Sequence, residues 1–156
     1  MTTSSTAQPT SSVTARLVPA VAAGITGGLV GGIVFGVLMQ LTGMIPMVAM
    51  LVGSKSMVIG WLVHLAIAAF IGASFAVIFS RLATSTGRAA LYGLGYGIVW
   101  WVLGALLIMP AKLGMTDMIF RVGTTQWQSL IGHLVYGLLL GVTFGLLAPR
   151  LARRGR

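Results

Sequence analysis

Apolar positions along this chain fall into four long blocks, residues 17–41, 57–79, 89–111 and 127–147, separated by short stretches that hold nearly all the charge. Each block reaches the ~20 residues that a helix needs to cross a bilayer. Within the blocks glycine recurs at helical spacing: Gly24, Gly28, Gly32 and Gly36 fall every four residues and share one face, widened by Gly27 and Gly31. Lipid tails are as apolar as leucine, so helices in a membrane associate where small residues let backbones approach. The pattern therefore predicts an all-α membrane fold, four transmembrane helices in a glycine-packed bundle, with Gly72, Gly93, Gly97, Gly137 and Gly141 on the matching faces.

The blocks are also related to one another. Residues 64–82, HLAIAAFIGASFAVIFSRL, and 133–151, HLVYGLLLGVTFGLLAPRL, share His, Leu, Gly, Ser/Thr, Phe, Arg and Leu at the same offsets. Aligning Gly28 with Gly93 brings Gly32 onto Gly97, Phe35 onto Trp100 and Met44 onto Met109. The chain thus reads as two tandem helix hairpins, repeat 1 over 17–82 and repeat 2 over 88–151, within one domain over 17–151. Each hairpin has an even number of spans, so both enter the membrane in the same direction and the repeats are parallel. A pseudo-two-fold axis along the membrane normal is expected, with His64 and His133 as symmetry mates.

The polar flanks set the orientation. Arg16, Arg81, Arg88, Arg150, Arg153, Arg154 and Arg156 lie at one end of the spans, and Lys55, Lys112 and Arg121 at the other. Basic residues concentrate on the cytoplasmic side, so both termini are expected there, in a plasma or inner cell membrane. Trp61 and Trp127 near the opposite ends suit the headgroup level. Residues 1–16 are Ser/Thr-rich and read as a disordered tail. No basic segment opens them, so a signal peptide is not expected. Residues 152–156 form a basic C-terminal tail, and residues 43–57, apolar but broken by Pro, Gly and Ser, read as an interfacial or re-entrant piece.

The Gly-rich first span, MIPMVAMLVGS, GWLVHL, GIVWWVLG and SLIGHLVYG together resemble a group of small four-helix integral membrane proteins of bacteria and archaea. The resemblance covers residues 20–149 and implies the fold and the membrane location. That group has no established activity, so the resemblance implies no chemistry.

Composition narrows the chemistry. Only 7% of residues are charged, against about a quarter in ordinary globular domains. The net charge of +9 comes from scattered residues that form no stripe, so no nucleic-acid partner is expected. There is no cysteine, and Asp117 is the single carboxylate, which excludes thiolate sites, paired-carboxylate catalysis and oxygen cages. Enzyme is accordingly the least favoured class. Asp117 and Arg121 have ion-pair spacing if their segment is helical. GLGYG at 93–97 lies inside a span and reads as packing glycine rather than as an ion filter or phosphate loop.

Two histidines within spans are the main candidates for function, because ionisable groups are expensive in a bilayer. They can act structurally, by bonding a carbonyl or hydroxyl on a neighbouring helix, or as a site for metal, haem or protons. Beyond the initiator all eight methionines lie in the half of the chain's spans and connections remote from the termini. Met44, Met47 and Met50 form MxxMxxM, and Met115 with Met118 forms MxxM. Thioethers are soft ligands for copper-type ions, and also pliable fillers of irregular packing. The candidate metal set is His64, His133, Met44, Met47, Met50, Met115 and Met118. Three functions remain open: a non-enzymatic membrane component that assembles with itself or a larger complex through leftover glycine faces; a conduit for a small solute, ion or proton, with Gln40, Thr42, Ser74, Tyr136 and Thr143 as its few polar lining candidates; and an outer-leaflet metal or haem site.

Overall fold

The computed structural model describes residues 10–154, of which 10–15 are described as backbone only. Residues 1–9 of the expected tail, and 155–156, lie outside the described residues. The described residues form helices and connections with no strand: α1 (Thr10–Leu41), α2 (Ile45–Met50), α3 (Met57–Phe79), α4 (Thr86–Trp100), a π-helical stretch (Trp101–Ile108), α5 (Met109–Lys112), a 3-10 turn (Thr116–Met118) and α6 (Thr124–Arg154). Four segments, Arg16–Leu41, Met57–Phe79, Thr86–Lys112 and Thr124–Arg154, are long and apolar enough to cross a membrane. The chain therefore fits a multi-pass membrane protein.

Two boundaries differ from those read off the hydropathy. Helix α1 begins at Thr10, inside the expected tail, because no Gly or Pro separates Thr10 from the span and a formed helix gains one bond per added residue. Helix α6 runs past Pro149 to Arg154 and takes in most of the expected basic tail.

Several glycines stand where helix backbones come close. Helix α1 lies antiparallel to α3: a Cβ on Gly24 would strike the Gly72 carbonyl and Ala76, one on Gly28 would strike the Ala68 carbonyl, and one on Gly36 the Trp61 ring. Gly27 and Gly31 turn to α6 instead, against the carbonyls of Leu140 and Tyr136. The second hairpin closes in the same manner, with Gly93 and Gly137 against each other's carbonyls, Gly97 against His133, and Gly141 against Ala89. A Cβ on Gly32 would likewise strike the Ala68 side chain. Gly95, in the middle of GLGYG, faces open space.

The helices follow the spatial order α3, α1, α6, α4, and α3 meets α4 only sparsely. An even pseudo-two-fold arrangement would pair α3 with α4 as closely as α1 pairs with α6, and this is not found. The facing surfaces of α3 and α4 lack glycine pairs. Near the termini, large side chains bridge them: Ser74 Oγ lies 2.8 Å from Tyr96 Oη, Phe79 stacks on Tyr92, and Phe75 packs against Tyr96 and Phe144. In the distal half, remote from the termini, the two helices part.

The distal connections fold back over that gap. Pro110 has no N–H to give to the Leu106 carbonyl four residues earlier, and the Phe120 N–H donates to it at 3.0 Å. Phe120 adopts φ +54, a left-handed value uncommon for a side chain of its size, to make this return. Trp101 Nε1 donates to the Gln126 carbonyl at 3.0 Å and ties the π-helical stretch to the start of α6. On the other hairpin Trp61 Nε1 donates to Gln40 Oε1 at 2.7 Å. Asp117 and Arg121 make no ion pair; the 3-10 turn ends at Met118, before a helix can align them.

Candidate functional site

Where α3 and the π-helical stretch diverge, the bundle holds a chamber of about 590 Å³, within the ~300–1,000 Å³ of small-molecule sites. Its floor is Tyr136, Ala68, Ile71 and Trp100, above the Phe75, Phe79, Tyr92 and Tyr96 cluster. Its roof is α2 with its flanks, and the chain from Met109 to Met118. Ile67 and Phe70 of α3 and Ile108 of the π-helical stretch stand at its edge and are exposed, so the opening is apolar and lateral. One wall differs: Thr125, Gln126, Ser129, His133 and Tyr136 all come from α6. The polar wall arises because α6 starts three residues before Trp127, the first large apolar residue of its span, and carries its polar first turns into the bundle.

Both histidines line this chamber, and their roles differ. His64 is buried and its Nε2 donates to the Gly32 carbonyl of α1 at 2.8 Å. His133 Nδ1 donates to the Ser129 carbonyl of its own helix at 2.8 Å. A carbonyl only accepts, so each bonded nitrogen carries the hydrogen, and in the neutral ring Nδ1 of His64 and Nε2 of His133 keep a lone pair. Among the buried side-chain polar atoms of the described residues only Trp100 Nε1 lacks a partner, so neither free imidazole nitrogen is sealed in protein. The two rings meet a common neighbour. Phe35 contacts His64 edge-on at 5.6 Å between centroids and His133 at 4.8 Å, and its own edge rests on Gly132. The expected equivalence of the pair gives way to one cross-helix bond and one intrahelical bond, because Gly32 offers its carbonyl to His64 whereas Gly97 lies directly against the His133 carbonyl.

Six methionines line the chamber: Met39 from α1, Met44 and Met47 around the start of α2, Met109 from α5, and Met115 and Met118 from the second connection. Of the metal set read from sequence, His64, His133, Met44, Met47, Met115 and Met118 are brought together. Met50 is not; it points away and is 43% exposed, since α2 turns only its other face to α3. Met39 and Met109 belong with the six. Met109 was signalled in the sequence by its alignment with Met44, whereas Met39 had no signal beyond being one of the methionines remote from the termini. Phe35, Ser129, Trp100 and the π-helical wall carried no sequence signal of a site. Among the described residues no three of His, Cys, Asp and Glu gather as a metal cage. The lining also contains no Lys or Arg to meet haem propionates, and His64 Nε2 is committed to Gly32.

Tyr136 closes the floor by donating from its hydroxyl to the Ala68 carbonyl at 2.8 Å, in a buried site between α6 and α3. Tyr136→Phe removes this bond and leaves the ring. It is expected to lower stability by about 0.5–1.5 kcal/mol, read as a shift of the unfolding midpoint in mixed micelles.

The described architecture defines an all-helical chain with four candidate membrane spans and a laterally open chamber between two of them. Neither a protein-family model, nor a curated protein, nor a solved structure matches the chain. The resemblance to small four-helix membrane proteins therefore rests on its motifs.

Proposed function

We propose that this chain is a non-enzymatic integral membrane protein whose working part is the chamber, in which a small ligand is held. The observation that carries the reading is the parting of α3 from α4 in the distal half, which leaves both histidines facing one lateral space. The excess of basic residues at the terminal ends of the spans supports a reading with both termini in the cytoplasm of a cell-membrane protein and the chamber in the outer leaflet. The fold behind it is two tandem hairpin repeats packed through glycine, supported by the matched offsets in sequence and by the matched contacts of Gly28 with Gly72 and Gly93 with Gly141.

The other readings find less support. Assembly through leftover glycine faces needs free glycines, and the stripe residues are already taken up within the chain. A conduit needs a continuous polar path. Below the chamber the aromatic cluster interlocks, Ser74 is bonded to Tyr96, and Thr42 bonds back to the Leu38 carbonyl of its own helix.

Gly104 offers a direct test. It lines the chamber, and a Cβ placed on it would meet only a Trp100 ring atom at 3.9 Å, so a large side chain there grows into the space without striking backbone. Native mass spectrometry of protein released from its own membranes is expected to show a bound species that Gly104→Phe loses, while the variant unfolds at the parental midpoint. Identical spectra from parent and variant would remove the chamber as the working part.

A further inference from the structure

Resting on the chamber reading, we infer that the ligand is a soft monovalent d10 cation, Cu(I) or Ag(I), taken by imidazole nitrogen and methionine thioether. Three observations carry this. The first is the donor inventory. His64, His133 and six methionines line one space, drawn from five helical segments and two connections, and Nδ1 of His64 and Nε2 of His133 are the ring nitrogens not taken by a backbone carbonyl. The lining holds no carboxylate, thiol, ammonium or guanidinium. Every strong donor in it other than amide or hydroxyl oxygen is therefore a neutral nitrogen or sulfur lone pair. Neutral soft donors in a weakly polar surround match a singly charged soft ion, whereas a hard dication keeps its water unless anionic oxygens replace it.

The second is where the methionines sit. As pliable fillers they would be spread through the irregular distal packing. Instead six line this chamber, and the two that do not, Met50 and Met57, are 43% and 48% exposed. Three rotatable bonds let each thioether swing inward, so a chamber wider than one coordination sphere can still close on an ion.

The third is the edge. Met115 is 40% exposed and lines the chamber at the same time, and Asp117, the chain's one carboxylate, lies exposed between Met115 and Met118. The rim thioether is thus reachable from outside the chamber; Lys55, Lys112 and Arg121 at the same end outweigh Asp117, so entry rests on the exposed thioether and not on charge.

The test uses the full chain, without a polyhistidine tag, in lipid nanodiscs titrated with silver nitrate in chloride-free buffer; bound silver is counted by elemental mass spectrometry after desalting. One variant changes all six lining methionines to leucine, which keeps apolar volume and removes only sulfur. Others change His64→Gln and His133→Gln singly, and Met50→Leu with Met57→Leu serves as the control. The proposal expects near-stoichiometric silver in the parent and control. Affinity should fall by about tenfold or more in each histidine variant, and retention should be lost in the leucine variant, whose circular dichroism stays helical. If the leucine variant misfolds, the Met39→Leu, Met109→Leu pair gives the same readout with fewer changes. Silver held equally by parent and leucine variant overturns the soft-metal site. No silver, together with a lipophilic species that Gly104→Phe expels, overturns the metal and keeps the chamber; no silver and no such species overturns both.

Discussion

Gly72→Val is expected to destabilise the bundle by about 3 kcal/mol or more, measured as a loss of unfolding midpoint in mixed micelles, while Gly95→Val leaves it unchanged. A Cβ on Gly72 would strike the Gly24 carbonyl oxygen, its carbon at 2.9 Å and the Gly28 Cα at 3.0 Å. These are backbone atoms of a helix that is itself held on its other side by α6, so neither partner can step aside by changing a rotamer. Overpacking in a protein core usually costs ~1–3 kcal/mol, and sites where only backbone can yield belong at the upper end. Valine also crowds the preceding turn of its own helix, although a few tenths of a kcal/mol of propensity are small beside the clash. Gly95 is the matched control, because a Cβ there meets nothing within 4 Å. Equal effects at both positions would show that helix propensity, not close approach, governs this bundle. Gly137→Val repeats the experiment in the second hairpin, against the Gly93 carbonyl and the Gly97 Cα at 3.3 Å, and should match Gly72→Val in size.

Phe35→Ala is expected to be the next most costly change, at about 2–3 kcal/mol. Phe35 is 7% exposed and its ring contacts both imidazoles while resting on Gly132. In a water-soluble core Phe→Ala costs ~3–5 kcal/mol, part of it for transferring the side chain from water. A membrane bundle has little of that transfer term, since the unpacked helix is still in hydrocarbon, so what remains is the lost packing and the cavity left behind. The cavity also joins the chamber. The variant should therefore lose stability and, in the same preparation, bind its chamber ligand with altered affinity. A full-sized loss of stability with unchanged ligand content would detach Phe35 from the site.

The sequence made the spans legible because their information is local. Hydropathy needs only neighbouring residues, and the four blocks read from it overlap the four long apolar helices throughout. The glycine positions were legible for a related reason: a period of four residues places them on one face of any helix. What could not be read was the partner of each face. Gly27 and Gly31 looked like a widening of the Gly24 stripe, yet they serve a different helix, because a face about 100° wide can be shared between two neighbours. The site was half legible. His64, His133 and the MxxM runs stood out by chemistry, whereas Phe35, Ser129 and Gly104 are ordinary residues that matter only through where α3 and α4 separate.

By itself the sequence determined four apolar helices, the small faces that let them pack, and the grouping of histidine and methionine toward one end, since each of these is a property of residues close together in the chain. Only the tertiary structure decided that α3 and α4 do not close on one another, that Pro110 and Phe120 fold the second connection back, and that six methionines rather than all eight face the histidines. Those outcomes depend on contacts between residues far apart in sequence, where the α1–α3 and α4–α6 pairs, meeting through α1 and α6, leave α3 and α4 sparsely matched.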